Sequence, residues 1–136
     1  MTWFPYALTA VVAFALWGLL GRLALDHATW SQVSLLFGVV TVLLFASAGV
    51  VRGGSGWTTR GLALGALTGL AGAVGIGLFY LALERGPASQ VVPVIGVYPV
   101  LTAVLAVVFL SDRLTALQTA GAVMAVAGVL VVGLAA

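Results

Sequence analysis

Charged residues are so sparse along the chain that they divide it into five long apolar runs. The charge-free runs cover residues 1–21, 27–51, 61–83, 86–111 and 114–136. Each run is long enough to cross a hydrocarbon core of about 30 Å as a helix of about 20 residues. The pattern therefore predicts five transmembrane helices, near residues 3–25, 31–51, 60–83, 87–110 and 115–135.

Short polar motifs mark where several of these helices begin. Thr29-x-x-Gln32 and Thr115-x-x-Gln118 fit the capping box, in which a Thr hydroxyl and a Gln amide satisfy unpaired N–H groups at a helix start. Pro87 suits the first turn of the fourth helix. The segment 52–60 is rich in Gly and Ser and is expected to be a flexible connector. Every other connection is predicted to be a tight turn, which favours one domain over residues 1–136.

The composition is that expected of an integral membrane protein. Hydrophobic residues make up 63% of the chain and charged residues 6%, and Lys is absent, which a soluble domain could not tolerate on its surface. The formal net charge of +2 comes from single Arg residues near helix ends, so no nucleic-acid surface is expected. The chain has no Cys, which excludes thiolate metal sites and disulfides within it. No predicted helix interior carries Asp, Glu, Lys or His, so we expect neither an enzyme nor a metal or cofactor site.

The distribution of Arg gives a weak preference for orientation. Arg52, Arg60 and Arg113 lie on the same predicted side as the N-terminus, whereas Arg22 and Arg85 lie on the other. Three against two favours a cytoplasmic N-terminus under the positive-inside rule and leaves insertion in both orientations open. The first 21 residues lack a basic start, so cleavage as a signal peptide is not expected.

The fourth predicted helix contains two interior prolines. Pro93 and Pro99 have no N–H, so the carbonyls of Ser89 and Ile95 lose their usual helical donors. Gln90, Tyr98 and Thr102 would lie near one face of a continuous helix. This helix is either a kinked packing element or the lining of a water-accessible substrate cavity.

The first and third helices offer further candidates. Trp17 lies deep enough to need a partner for its indole N–H. Arg22 either extends to the interface or faces a cavity. Tyr80 belongs either to the interfacial aromatic belt or to the binding site. The third helix carries Gly61, Gly65, Gly69, Gly72, Gly75 and Gly77, which favour close helix packing or allow the helix to bend.

Several of these features together resemble one known family of membrane proteins. The turn ALERGPAS, the pair Tyr98-Pro99, the stretch from Ser111 to Thr115 and a small-residue final helix are similar in order and spacing to the EamA domain of the drug/metabolite transporter superfamily. Trp17-Gly18 resembles the family's first helix. The resemblance covers essentially the whole chain. It departs at Ser111-Asp112, where Gly-Glu is usual, and in having one domain where most members have two.

The resemblance implies an all-α membrane protein of five helices that forms one EamA-like repeat. Because the family builds its cavity from two inverted domains, we expect a homodimer, with an antiparallel pair open as an arrangement. The candidate dimer contact is a small-residue stripe on the fifth helix, formed by Gly121, Ala125, Gly128 and Val132. The candidate substrate-binding residues are Trp17, Arg22, Tyr80, Gln90, Tyr98 and Thr102, with Pro93 and Pro99 as kink residues.

The leading functional hypothesis is a transporter, acting as an exporter, that moves a small metabolite such as an amino acid across a bacterial-type inner membrane by alternating access. Two alternatives stay open. A lipid-carrier flippase would need a headgroup site near Arg22 and a lateral opening to lipid. A non-transporting scaffold subunit would use its glycine faces only for packing. The related four-helix exporters depend on a glutamate in the first helix that this chain lacks, which argues against proton-coupled cation export.

Overall fold

The computed structural model describes residues 4–52, 56 and 58–134, with the side chains of residues 50–52 and 134 left aside. In chain order the helices are α1 (Phe4–Leu25), α2 (Trp30–Arg52), α3 (Thr59–Arg85), α4 (Ala88–Ile95), α5 (Tyr98–Leu110) and α6 (Ala116–Leu134). Five spans are long and apolar enough to cross a membrane, with α4 and α5 sharing the fourth. The predicted all-helical, five-span fold is confirmed. Of the predicted connector over residues 52–60, residues 53–55 and 57 lie outside the described residues.

Large apolar side chains cover the outside of these helices. Phe45, Phe109 and Leu117 are 73%, 76% and 83% exposed. In water such exposure would drive aggregation, whereas in lipid the same side chains meet a solvent as apolar as themselves. The exposed helix surfaces therefore fit a multi-pass membrane protein.

The fourth span, predicted near residues 87–110 with Pro93 and Pro99 as kink residues, consists of two helices. Helix α4 ends at Ile95, and α5 begins at Tyr98. The break falls at Gly96 and Val97, between Pro93 and Pro99. Each proline already removes one helical hydrogen bond. Interrupting the helix between the two prolines therefore costs few further hydrogen bonds.

Capping motifs read from the sequence do form at helix starts. The backbone N–H of Thr115 donates to Gln118 Oε1 over 2.8 Å, and the Gln118 N–H donates to Thr115 Oγ1 over 3.3 Å. At α2, the Thr29 N–H donates to Gln32 Oε1 over 3.0 Å, while the Thr29 hydroxyl bonds Ser31 and Gln32 side chains. At the starts of both α2 and α6, nearby side chains thus satisfy backbone N–H groups, as in a capping box.

The chain divides into two compact units, residues 1–85 and residues 86–136. In the first unit, the packed end is where α1 ends, α2 begins and α3 ends, because Gly18, Gly21, Phe79, Tyr80 and Leu83 are the buried residues. At the other end of this unit, residues 59–75 of α3 are all exposed. The three helices therefore pack tightly at one end only.

The second unit holds α4, α5 and α6. At its packed contact a Cβ built on Gly133 of α6 would lie 3.7 Å from Val94 Cγ2 of α4, which is ordinary van der Waals contact. The prediction of a single domain over residues 1–136 stays a prediction.

The turn after α5 contains a residue in an unusual conformation. Ser111 has φ 60° and ψ 24°, in the left-handed region, and it is the one non-glycine residue with positive φ among those described. The N–H of the following Asp112 donates to the Ala106 carbonyl over 3.3 Å. Glycine is the usual residue at such a helix C-terminus because it has no Cβ to clash. Ser111 therefore holds a position where the backbone favours glycine.

We expect Ser111→Gly to stabilise the protein by about 1 kcal/mol, since it removes the Cβ strain of a left-handed residue. Thermal unfolding in mild detergent measures the change. Ser47→Gly is the matched control, because Ser47 lies inside α2, where glycine costs about 0.5–1 kcal/mol. A lower unfolding temperature for Ser111→Gly than for the unmodified chain would contradict the strain.

Candidate functional site

Aromatic side chains gather at the packed end of the first unit. The Trp17 ring stacks on Phe79, with centroids 4.5 Å apart and planes 21° from parallel. Tyr80 meets Trp17 edge-on at 5.9 Å, and Phe37 of α2 lies 5.9 Å from Trp17 and 6.3 Å from Tyr80. We call Trp17, Phe37, Phe79 and Tyr80 the aromatic cluster. It joins all three helices of the unit.

The centre of the aromatic cluster is a hydrogen bond between two aromatic polar groups. Trp17 Nε1 donates to the Tyr80 hydroxyl oxygen over 2.7 Å. Tyr80 is only 2% exposed. An indole N–H left without an acceptor in the membrane interior would cost several kcal/mol, so this bond fixes the register of α1 against α3.

A glycine makes this close approach possible. A Cβ built on Gly21 would lie 2.8 Å from Tyr80 Cε1, closer than side-chain atoms approach one another. Gly21 stands four residues after Trp17, so both face the same side of α1. One face of α1 therefore gives Tyr80 both a hydrogen-bond donor, the Trp17 indole N–H, and the space left by the missing side chain of Gly21.

Two polar contacts close the same end of the unit. Arg22 Nη1 lies 3.0 Å from Asp26 Oδ1, four residues further along the chain. The Trp30 N–H at the start of α2 donates to Glu84 Oε1 over 3.1 Å. A carboxylate is favourable at a helix N-terminus, where the backbone N–H groups are unpaired. Glu84 belongs to the last turn of α3.

The sequence reasoning did not identify Phe37, Phe79 or Ser34 as part of this region. Among the described residues that are not exposed, Ser34 Oγ is the one buried side-chain polar atom without a hydrogen-bond partner. It lies one turn before Phe37 on α2. The adjacent pair Phe79-Tyr80, opposite a Trp with glycines after it, is the signal that could have pointed to the cluster.

The second polar feature is the break between α4 and α5. At the break, the Gly96 N–H donates to the Val92 carbonyl over 2.8 Å and the Val97 N–H to the Val94 carbonyl over a long 3.4 Å. Val100 N–H turns back to the Val97 carbonyl over 2.9 Å. The Ile95 carbonyl lacks its usual helical donor, because the residue four positions later is Pro99, which has no N–H. The span is therefore interrupted by a short stretch of irregular backbone.

A comparison with protein families matches the chain over residues 1–134 to the EamA-like transporter family. The chain belongs to the EamA-like transporter family. The resemblance inferred from ALERGPAS, Tyr98-Pro99 and the Ser111 turn is thereby confirmed. Comparisons with curated proteins and with solved structures found no match.

Membership makes the chain a membrane protein of a transporter family, and EamA proteins are not enzymes. One EamA domain accounts for all five spans. Among the described residues no group of three or more His, Asp or Glu residues is placed to hold a metal ion.

The predicted substrate-binding residues of this EamA domain fall into two groups. Trp17, Arg22 and Tyr80 belong to the first unit, and Gln90, Tyr98 and Thr102 to the second. In the first group Trp17 and Tyr80 bond each other, while Arg22 pairs with Asp26.

In the second group, Thr102 Oγ1 donates to the Tyr98 carbonyl over 3.1 Å, and the Tyr98 side chain is 56% exposed. Because α4 and α5 are separate helices, the spacing of Gln90 from Tyr98 no longer places them on one helical face. A cavity shared by Trp17 and Tyr98 stays a prediction.

We expect Tyr80→Phe to destabilise the protein by about 1–3 kcal/mol, because it leaves the Trp17 N–H buried without an acceptor. Trp17→Phe should cost a similar amount. The double variant should be less destabilised than the sum by about 1 kcal/mol, since the bond is lost only once. Unfolding by denaturing detergent in mixed micelles measures all three.

The control for this cycle is Tyr6→Phe, since Tyr6 is 78% exposed and should tolerate the change. Strict additivity of Trp17→Phe and Tyr80→Phe would contradict an energetic coupling between the two rings.

Gly21→Ala should destabilise the protein by about 1–3 kcal/mol, because its methyl group overpacks the contact with Tyr80. Gly65→Ala is the matched control on α3, where a Cβ meets no atom within 4 Å. Alanine there should be neutral or stabilising by up to about 1 kcal/mol through helix propensity. Equal effects of the two substitutions in the same unfolding assay would rule out the close contact at Gly21.

Proposed function

We propose that this EamA protein exports a small polar metabolite, such as an amino acid, by alternating access, and that two copies form the cavity. The observation that carries the proposal is the broken fourth span. Gly96 lies eight positions after Ala88, or about 12 Å of helix rise, so the break lies well inside a hydrocarbon core of about 30 Å. Irregular backbone at that depth is tolerated where it faces protein or a water-filled cavity, and transporters bind solutes at such places.

A second copy would supply the other wall of an enclosed cavity, which one domain does not form by itself. Grooves of about 440 Å³ along α2 and about 420 Å³ along α1 each lie on a single helix and are lined almost wholly by apolar residues. Neither offers a polar solute an enclosed site. Since the resemblance implies a cavity between two inverted domains, a homodimer is the arrangement that would enclose one.

Helix α6 is the proposed site of the dimer contact. A Cβ built on Gly121 or Gly128 would meet no atom within 4 Å, and Ala125 between them is exposed. With Val132 these residues form the stripe expected at a close helix crossing. We infer that α6 pairs with α6 of a second copy, and the near-equal split of Arg between the two sides of the membrane makes an antiparallel pair feasible.

The proposed location is the bacterial-type inner membrane, with the lipid bilayer as the surrounding partner. In that setting Trp17, Arg22, Tyr80, Gln90, Tyr98 and Thr102 are the residues proposed to line the path. Of these, Tyr98 stands beside the break and exposes more than half of its side chain.

Flux into and out of liposomes, screened over amino acids, organic cations, nucleosides and polyamines, tests the transport proposal. We expect one class to move, and Tyr98→Ala to lower its rate by about tenfold, the loss of about 1.4 kcal/mol of binding. Phe109→Ala is the matched control, because Phe109 lies on the same helix and is 76% exposed. Its transport and unfolding temperature should both stay unchanged.

Flux of no solute class, with the protein folded and dimeric, would favour the scaffold hypothesis over transport. Movement of a labelled lipid carrier between leaflets, without solute flux, would favour the flippase hypothesis.

Cross-linking tests the dimer, because the chain has no native Cys to interfere. Gly128→Cys should form a disulfide-linked dimer in bilayers, and Val108→Cys, 66% exposed on α5, should not. Accessibility of a Cys at Ser55 from both sides of the membrane would support antiparallel insertion. A monomer in bilayers, or one uniform orientation with transport intact, would contradict the antiparallel dimer.

A further inference from the structure

In the described part of the first unit, hydrogen bonds between different helices lie at the packed end. Two such bonds are present among these residues, from Trp17 Nε1 to the Tyr80 hydroxyl oxygen over 2.7 Å and from the Trp30 N–H to Glu84 Oε1 over 3.1 Å. Towards the other end, the Thr68 hydroxyl donates to a carbonyl of its own helix one turn earlier, over 2.9 Å. Polar contacts therefore join α1 and α2 to α3 at one end of the unit.

One face of α3 is packed at Tyr80 and open further towards the start of the helix. Gly69 shares the face of Tyr80, because the interval between the two positions is about three turns of an α-helix. Tyr80 is 2% exposed, whereas a Cβ built on Gly69 would meet no atom within 4 Å. The helices of this unit therefore diverge from the aromatic cluster towards the end at which α3 begins.

Few side chains close the packed end. Phe79, Tyr80 and Leu83 are the buried hydrophobic residues of the described chain. The Trp17 N–H has the Tyr80 hydroxyl as its acceptor only while α1 and α3 touch there, and water would replace that acceptor in an opened end. Separation of the helices with entry of water would thus leave both polar groups with partners. Contact at this end is therefore of a kind that can form and break reversibly.

We propose that the aromatic cluster is a gate. It closes the solute path at the end of the unit that carries Arg22 and Arg85, while the face of α3 at Gly69 lines the part of the path that is open towards the opposite side of the membrane. When the cluster separates, the helices close at the Gly69 end, so that one side is open at a time. This inference rests on the proposed transport function and gives the cluster a role in alternating access.

Reaction of single introduced Cys residues with a membrane-impermeant maleimide tests the gate in bilayer nanodiscs, where both membrane sides are accessible. Leu83→Cys, at a side chain that is 0% exposed, reports on the packed end, and Gly69→Cys reports on the open end. We expect slow labelling at position 83 and rapid labelling at position 69. Leu67→Cys, 61% exposed and on the opposite face of α3, is the control that should stay unlabelled, because a thiol in lipid does not ionise.

Tyr80→Phe, introduced into each reporter, should open the packed end. The substitution leaves the Trp17 N–H without an acceptor in the closed state, whereas water serves it in the open state. We expect labelling at position 83 to become about tenfold faster, which corresponds to a shift of about 1.4 kcal/mol, and labelling at position 69 to slow. Adding Trp17→Phe removes the unpaired N–H and should restore both rates. Tyr6→Phe, at a side chain that is 78% exposed, should change neither rate.

Gly21→Ala serves if Tyr80→Phe fails to fold, because its methyl group would crowd Tyr80 in the closed state. A rise at position 83 without a fall at position 69 would show loosened packing and overturn the gate. An unchanged rate at position 83, or a double variant that labels like Tyr80→Phe, would also overturn it. Absence of labelling in Gly69→Cys alone would show that lipid fills that end, which contradicts an open path there.

The labelling result and the transport result can be told apart. Reciprocal labelling changes in a chain that moves no solute class would contradict the transport function and leave the movement between two states in place. Solute flux without reciprocal labelling changes would contradict the gate alone.

Discussion

Backbone hydrogen bonding in a medium without water is the constraint on which this fold depends. A peptide group that faces lipid has no alternative partner, so a spanning segment must satisfy its N–H and C=O groups within its own helix. Helices α1, α2, α3 and α6 do so without interruption over 19 to 27 residues. The fourth span does not, because two prolines six residues apart remove two donors. At its break, backbone groups are therefore satisfied by bonds other than the regular helical ones, such as that from the Val100 N–H to the Val97 carbonyl.

The two units differ in where their polar contacts lie. In the first unit three polar pairs lie at the packed end: Trp17 with Tyr80, Arg22 with Asp26, and Glu84 with the first amide of α2. Such pairs hold helices in fixed register at one end. In the second unit the fourth span is interrupted at Gly96 and Val97, where Pro99 cannot donate to the Ile95 carbonyl.

Much of the fold could be predicted because membrane-spanning helices are recognised from local sequence features, namely long apolar runs and capping motifs. Charge-free runs of more than 20 residues defined the five spans, and Thr115 with Gln118 marked a helix start three residues apart. These signals need no knowledge of tertiary contacts.

The aromatic cluster could not be predicted in the same way. Trp17 and Tyr80 are separated by 63 residues, and their bond depends on the gap left by Gly21. Pro93 and Pro99 pointed to the carbonyls that lose donors, but the position of the break at Gly96 and Val97 depends on where the backbone bends with the least crowding. A Cβ at position 96 would crowd the Val92 and Pro93 carbonyls, so glycine allows the bend there. A hydropathy pattern does not show this steric requirement.

The most direct measurement is the water exposure of the break in a lipid bilayer. A nitroxide attached at Val97→Cys is compared with one at Leu43→Cys, which lies near the middle of the uninterrupted helix α2 and is 65% exposed. We predict that a water-soluble nickel complex relaxes the label at position 97 strongly and the label at position 43 weakly. A label at position 97 that is as dry and as oxygen-accessible as the one at position 43 would contradict a polar environment at the break.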